Sequence, residues 1–354
     1  MGKFLVGSVL REVRNGRLNC NNAQNEEFKS GNDNTTYVKK IRVGRETYPY
    51  ASAQWQKKNI KEFAKNQGHK ISPVVSLTST SVYIEGNPYS NYDEDIMGFM
   101  IAQNIELNEE QYSNLSEEER VGFKKSKGKY KKNITKKRRS NLMLSPLQAI
   151  GSVRVTDEFS TRTTDKTPLL YSKEVYAADM SCGFILDIDK VGVFNANDNE
   201  SAYRDYSLQE VEELGKDVDD TGLFYLSTDE KLRRINTTID GIHHMDTRVT
   251  MTNNLENLSA KFIILAEYKI GSAIFNNIFG DGKLKIQYLK EEIEKMELYR
   301  LSKIYIGCSS EYFKQEDRYL KDILEFEFAN DDRIIMGDVN SAIESYKEYL
   351  KNNI

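Results

Sequence analysis

The strongest constraint on this chain is the order in which its apolar periodicity changes. Residues 4–13, FLVGSVLREV, alternate apolar and polar positions as a half-buried strand does. Helical spacing follows within YPYASAQWQKKNIKEFAKN, residues 48–66, where Trp55, Ile60 and Phe63 share a stripe and Ser52 stands where an N-cap belongs. Strand character returns in NLMLSPLQAIGSVRV, residues 141–155, and in YSKEVYAADMSCGFILDIDKVGVF, residues 171–194. Residues 206–218, 231–245 and 285–298 read as helices, and AKFIILAEYKI and SKIYIGCSS as strands. Strand, helix, strands, helices, strand, with insertions between them, is the order of an α+β, ferredoxin-like domain with an open sheet like an RNA-recognition fold.

Punctuation is sparse. With 5 prolines in 354 residues and no Pro- or Ser-rich linker, one elaborated domain is expected rather than two independent ones. Apolar runs such as KFIILAEY are too short to cross a bilayer, and the first residues lack the pattern of a secretory leader. Three scattered cysteines argue against a disulfide scaffold and fit a reducing cytoplasm. The three histidines, His69, His243 and His244, have no zinc spacing, and neither glycine-rich nucleotide signature occurs. No metal or cofactor is expected.

The chain is acidic, with a formal charge of −4 and a pI near 5.7, yet KKSKGKYKKNITKKRRS, residues 124–140, carries ten Lys or Arg and no acid. An acidic stretch, ELNEEQYSNLSEEER, precedes it. Opposite charge in neighbouring segments marks a solvated insertion with little core of its own. Ten cations can also displace counterions from a nucleic acid backbone without regard to sequence. Tyr130 is the sole aromatic in the run, so stacking is not its main mode.

The ordered set of the Asn/Gly-rich loop (15–36), YPYASAQWQKKNIKE, DEDIMGFM, KKRRSNLMLSPLQAIGSV, SKEVYAAD and FILDIDKVGVF resembles the backbone subunit of type I CRISPR interference (Cascade) complexes. This is the Cas-seven family, and the likeness is to its I-B-like autoregulator branch. The resemblance implies a hand-shaped molecule. A ferredoxin-like palm would take residues 1–64 and 178–330, a fingers insertion 65–150 with the basic run at 124–139, and a β-hairpin thumb 155–178. A C-terminal helix would take 331–354. It implies a non-catalytic protein that polymerises head to tail along CRISPR RNA and presents it for pairing with target DNA. The implied partners are further copies, a large subunit and RNA-end-capping subunits.

Candidate RNA contacts follow. Ser52, Gln54, Lys57 and Lys58 mark a helix start whose free N–H groups and dipole suit phosphate, and a capped amphipathic helix accounts for them as well. Lys136, Lys137, Arg138 and Arg139 close the basic run, and the two arginines lead into a strand and rank highest. In the implied thumb stand Phe159, a wedge between bases or a local anchor, and Arg162. Arg248 is a palm contact or an ordinary surface arginine. Asp33, in the Asn/Gly loop, is the candidate if the chain is instead a metal-dependent ribonuclease of the type III backbone kind, although a loop aspartate is commonly turn chemistry. Asp93, Glu94 and Asp95 suggest magnesium or, more plainly, a solvated acidic loop. A stand-alone transcription regulator is a third class, against which no helix-turn-helix with a basic recognition helix stands out.

Overall fold

A computed structural model describes residues 2–21, 35–73, 75–76, 82–117, 120, 123–163, 168–196, 205–248 and 255–354. Along the chain, β1 (Phe4–Gly16) is followed by β2 (Thr35–Val38), β3 (Lys40–Val43), β4 (Glu46–Ala51) and α1 (Ala53–Asn66). Then come α2 (Tyr92–Met97), β5 (Phe99–Leu107), α3 (Glu109–Ser113), β6 (Lys124–Ser126) and β7 (Lys129–Arg138). The middle holds β8 (Leu142–Leu144), β9 (Leu147–Ala149), β10 (Thr156–Arg162), β11 (Leu169–Asp187) and β12 (Val193–Asn195). The rest comprises α4 (Leu208–Glu213), β13 (Leu223–Tyr225), α5 (Thr228–His244), β14 (Phe262–Tyr268), α6 (Ile286–Met296), β15 (Ile304–Cys308), α7 (Leu320–Glu327), β16 (Ile334–Gly337) and α8 (Val339–Asn353).

The architecture is α+β, built on a large mixed sheet. Its path runs β16-β15-β14-β1-β11-β9-β4-β3, and β8, β10 and β2 pair with β11 away from that path. Neighbours on the path are antiparallel except β15 and β16. In register, Val6, Ser8 and Leu10 of β1 share one face with Ile185, Gly183 and Ser181 of β11. That face is covered by apolar residues from 274–328, among them Phe275, Phe279, Leu289, Ile293 and Leu320. Each such fully buried side chain contributes about 1.5–3 kcal/mol.

The opposite face carries α1, α5 and α8. A Cβ on Gly241 of α5 would lie 3.0 Å from Ile60 of α1, and one on Gly307 of β15 would lie 2.6 Å from the Val339 backbone of α8. Tyr346 of α8 donates its hydroxyl to the buried Glu267 of β14 at 2.8 Å. Arg11 of β1, fully buried, gives its guanidinium to the carbonyls of Ile242, His243 and Leu258. A cation at the carboxyl end of α5 satisfies carbonyls that a helix terminus leaves unpaired.

The chain divides into two compact units. The first comprises 1–68, 142–189 and 232–354 and contains the large sheet; the second comprises 69–141 and 190–231. The second unit therefore begins and ends differently from the insertion expected at 65–150. Residues 142–150 return to the large sheet through β8 and β9, and 190–231 joins the second unit instead. The C-terminal segment expected to be helical from 331 first forms the edge strand β16, paired in parallel with β15, and becomes helical at Val339.

Candidate nucleic-acid interface

In the first unit, the amino end of α1 is built as its sequence suggests. Ser52 accepts the Trp55 N–H at 3.3 Å and the Asn19 side-chain amide at 2.8 Å, so its hydroxyl is engaged in capping. The first turn holds no acid, which leaves the positive dipole end uncompensated. Gln54 and Lys58 are exposed, and Lys57 is half-buried with its pKa pulled down by desolvation. Interleaved with and following them are two polar residues that the sequence did not single out. Gln56 is buried and donates to the Ser145 carbonyl at 2.8 Å, and Asn59 donates to the Trp55 carbonyl at 2.8 Å. Both occur at helical spacing on the Trp55–Ile60 side, the available sign that they face inward.

The basic run is ordered as strands. β6 and β7 form a hairpin turning at Lys127 and Gly128, whose φ values of 51° and 75° match the two left-handed positions of a tight hairpin turn. β7 pairs with β5 along its length, making a three-stranded sheet in the second unit. The acidic stretch before the run is its local counterion set. Glu106 pairs with Lys129 and Lys131, and Glu109 with Lys125. Tyr112 of α3 stacks on Tyr130 with ring centroids 3.6 Å apart, and Lys125 lies over the Tyr130 ring. Lys124, Lys127 and Arg139 are exposed and form no ion pair among the described residues.

Two members of the run face inward. Lys136 reaches Glu210 at 2.6 Å and the Gly86 carbonyl at 3.1 Å. Arg138, ranked among the foremost RNA contacts, has only 6% of its side chain exposed. Its guanidinium meets Asp95 at 2.5 Å, Asp205 at 2.8 Å, and the carbonyls of Asp95, Lys190 and Val193. Burial opposes its charge, but Asp95 and Asp205 more than offset this and hold its pKa above the usual arginine value. The corrected role is structural, because every face of the group is filled by protein.

The acidic triplet changes meaning with it. Asp93, Glu94 and Asp95 are buried on α2 rather than forming a solvated loop. Glu94 takes the N–H groups of Gly86 and Asn87 and the Ser72 hydroxyl, and Asp93 takes the Ser72 N–H. Asp95 also accepts from Asn141 and Gly192. These carboxylates are satisfied by protein donors, which a buried charge requires. Among the described residues no group of three His, Cys, Asp or Glu is disposed to hold a metal ion.

Back in the first unit, β10 pairs with the first part of β11 from Thr156↔Val175 to Arg162↔Leu169, an antiparallel arm. Phe159 is 75% exposed and Leu170 63%. The base of the arm is anchored: Ser172 and Lys173 pair in parallel with Thr35 and Thr36, and the buried Glu174 accepts the Val38 N–H at 2.9 Å and pairs with Lys40. Arg162 ends β10 opposite Leu169. Arg248 is exposed but held in a fork by Asp246, at 3.0 and 2.7 Å. Ser52, Gln54, Lys57 and Lys58 are thus brought together at one helix end, while the basic hairpin belongs to the other unit. Asp33 lies outside the described residues.

No protein-family model matches the chain, and no curated protein matches it. Among solved structures, one chain described as "CRISPR RNA-guided surveillance complex, pre-nicking" aligns with a TM-score of 0.51 at 8% identity, covering 98% of this chain and 99% of that one. The protein shares that chain's fold. A second, described as "CRISPR RNA-guided surveillance complex", aligns with a TM-score of 0.48 at 10% identity over 98% of this chain and 99% of that one. The alignment takes in residues of both units, since it omits only 2% of this chain.

Proposed function

We propose that this chain is a non-catalytic, RNA-binding backbone subunit of a type I, Cascade-type CRISPR interference complex, acting in the cytoplasm. The observation that carries the reading is the fold shared along nearly the whole chain with a subunit of an RNA-guided surveillance complex. The sheet supports its finer form. Within the path, β14-β1-β11-β9 is antiparallel throughout, with α1 between β1 and β9 in sequence and α5 between β11 and β14. This order matches the strand–helix–strand–strand–helix–strand pattern of a ferredoxin-like domain, which supports reading it as the expected palm. The arm of β10 and β11 fits a thumb reaching toward a neighbouring copy.

In this reading the α1 amino end and exposed cations such as Lys58, Lys124, Lys127 and Arg139 meet phosphates. Such contacts position RNA without reading its sequence and leave base edges available for target DNA. Copies stack head to tail, with a large subunit and end-capping subunits completing the particle. Purification from cells followed by sequencing of the bound RNA tests the proposal. Repeat-derived guide RNA that stays intact with magnesium or manganese is the expected result; an RNA-free monomer, or metal-dependent cleavage, would overturn it.

A further inference from the structure

One register row crosses the large sheet from its open margin to its core. Tyr50 of β4 stands opposite Gln148 of β9, Gln148 opposite Ser181 of β11, Ser181 opposite Leu10 of β1, and Leu10 opposite Phe262 of β14. Directly opposed residues in antiparallel strands project to the same side. The apolar part of the row, Leu10 and Phe262, is fully covered by residues from 274–328. The polar part is not. There Tyr48, Gln148 and Ser181 line a cleft of about 270 Å³ walled by Asn276, Asn277 and Asp281. Tyr48 and Tyr50, two residues apart on one strand, share its face and are partly exposed.

We infer that this strip is a base-binding platform for single-stranded RNA, an inference that rests on the proposed function. Its chemistry is that of bases and ribose rather than phosphate. The lining includes the aromatic rings of Tyr48 and Phe279, the hydroxyls of Ser145 and Ser181 and three amides, and its single charged member is the carboxylate Asp281, which repels phosphate. Cationic character sits at the turn of the same β3–β4 hairpin, where Arg45 is exposed and available to a backbone passing the cleft. Open sheets of the RNA-recognition kind stack bases on aromatic residues of the face not covered by helices. Here most of that face is filled by 274–328, and its surviving open edge is where the tyrosines stand. The cleft's volume suits one nucleoside-sized group.

The test uses the full chain with a single-stranded RNA carrying 4-thiouridine. Photocrosslinking and peptide mapping should place adducts on Tyr48 or Tyr50. Tyr48→Ala should weaken binding about tenfold, the scale of one lost base stack. Tyr48→Phe, which keeps the ring, should stay within about twofold, and the salt dependence of both variants should match the parent because no phosphate contact is removed. Parental RNA affinity in Tyr48→Ala, with adducts elsewhere, overturns the platform and leaves the RNA-binding reading standing. Absence of RNA binding by the parent chain overturns both. Adduct-free tyrosines, together with loss of copy–copy association in Tyr48→Ala, overturn the inference in favour of a protein contact.

Discussion

The Nη1 of Arg138 lies 2.8 Å from the Asp205 carboxylate, and this contact ties together the two chain segments that form the second unit. Asp95 grips the other side of the same guanidinium. Removing one partner of such a group leaves the remaining charges buried and uncompensated. Arg138→Met should therefore destabilise the second unit by about 3–5 kcal/mol. Urea unfolding, with Asp205→Asn and the double variant completing a cycle, measures it. A phosphate-binding Arg138 would instead lower RNA affinity with no loss of stability.

Arg139, one residue on, is exposed. Arg139→Ala should leave unfolding unchanged and reduce the steepness of log affinity against log salt by about one phosphate contact. Titrations at several salt concentrations with two unrelated RNA sequences check this. A sequence-dependent loss would contradict backbone binding.

His243 gives a pH dependence with a definite sign. Its Nε2 pairs with Asn340 Oδ1 at 3.0 Å, and burial, assisted by His244 and Arg11, lowers its pKa to about 4. The unfolded chain takes up this proton near the ordinary histidine value, about 6.5. Between the two values the unfolded state binds more protons, so His243 favours folding above about pH 6.5 and stability falls as pH drops toward 4. The fall in urea midpoint from pH 7 to pH 5 should shrink in His243→Gln.

Gly307 admits α8 against the sheet. A Cβ there would stand 2.6 Å from the Val339 Cα and 2.9 Å from the Asp338 carbonyl oxygen. Both are backbone atoms, so no rotamer change relieves the contact. Gly307→Ala should cost about 1–3 kcal/mol, the range for overpacking. Thermal unfolding reads the loss, and an unchanged midpoint would mean that α8 docks less tightly than these distances require.

Phe159 offers the opposite profile. At 75% exposure it contributes little to folding, and Phe159→Ala should change stability by less than about 0.5 kcal/mol. On assembled filaments the same change should weaken the periodic interruption of guide–target pairing, visible by nuclease footprinting. A footprint identical to that of the parent assigns the wedge to another residue.

Local chemistry made part of this protein legible. The apolar run at 4–13 marked β1 as a strand, although β1 lies between two strands and is buried on both faces rather than half-buried, and Ser52 with the Trp55–Ile60 spacing marked α1, because strand pleat and helix pitch act over a few residues. The polar stretch between strands was readable as an arm for the same reason. The fate of the cations was not. Lys124–Arg139 reads as one basic run, yet Arg138 is buried while Arg139 is exposed. Side chains alternate sides along β7, and the carboxylates that claim Arg138 come from 43 residues earlier and 67 later. Likewise, nothing near Tyr48 and Gln148 announces that residues 274–328 cover the apolar part of their sheet face yet only wall a cleft beside them. Composition and period are local and survive in the sequence; which charge is neutralised and which face stays open depend on groups that only the folded chain brings within a few ångströms.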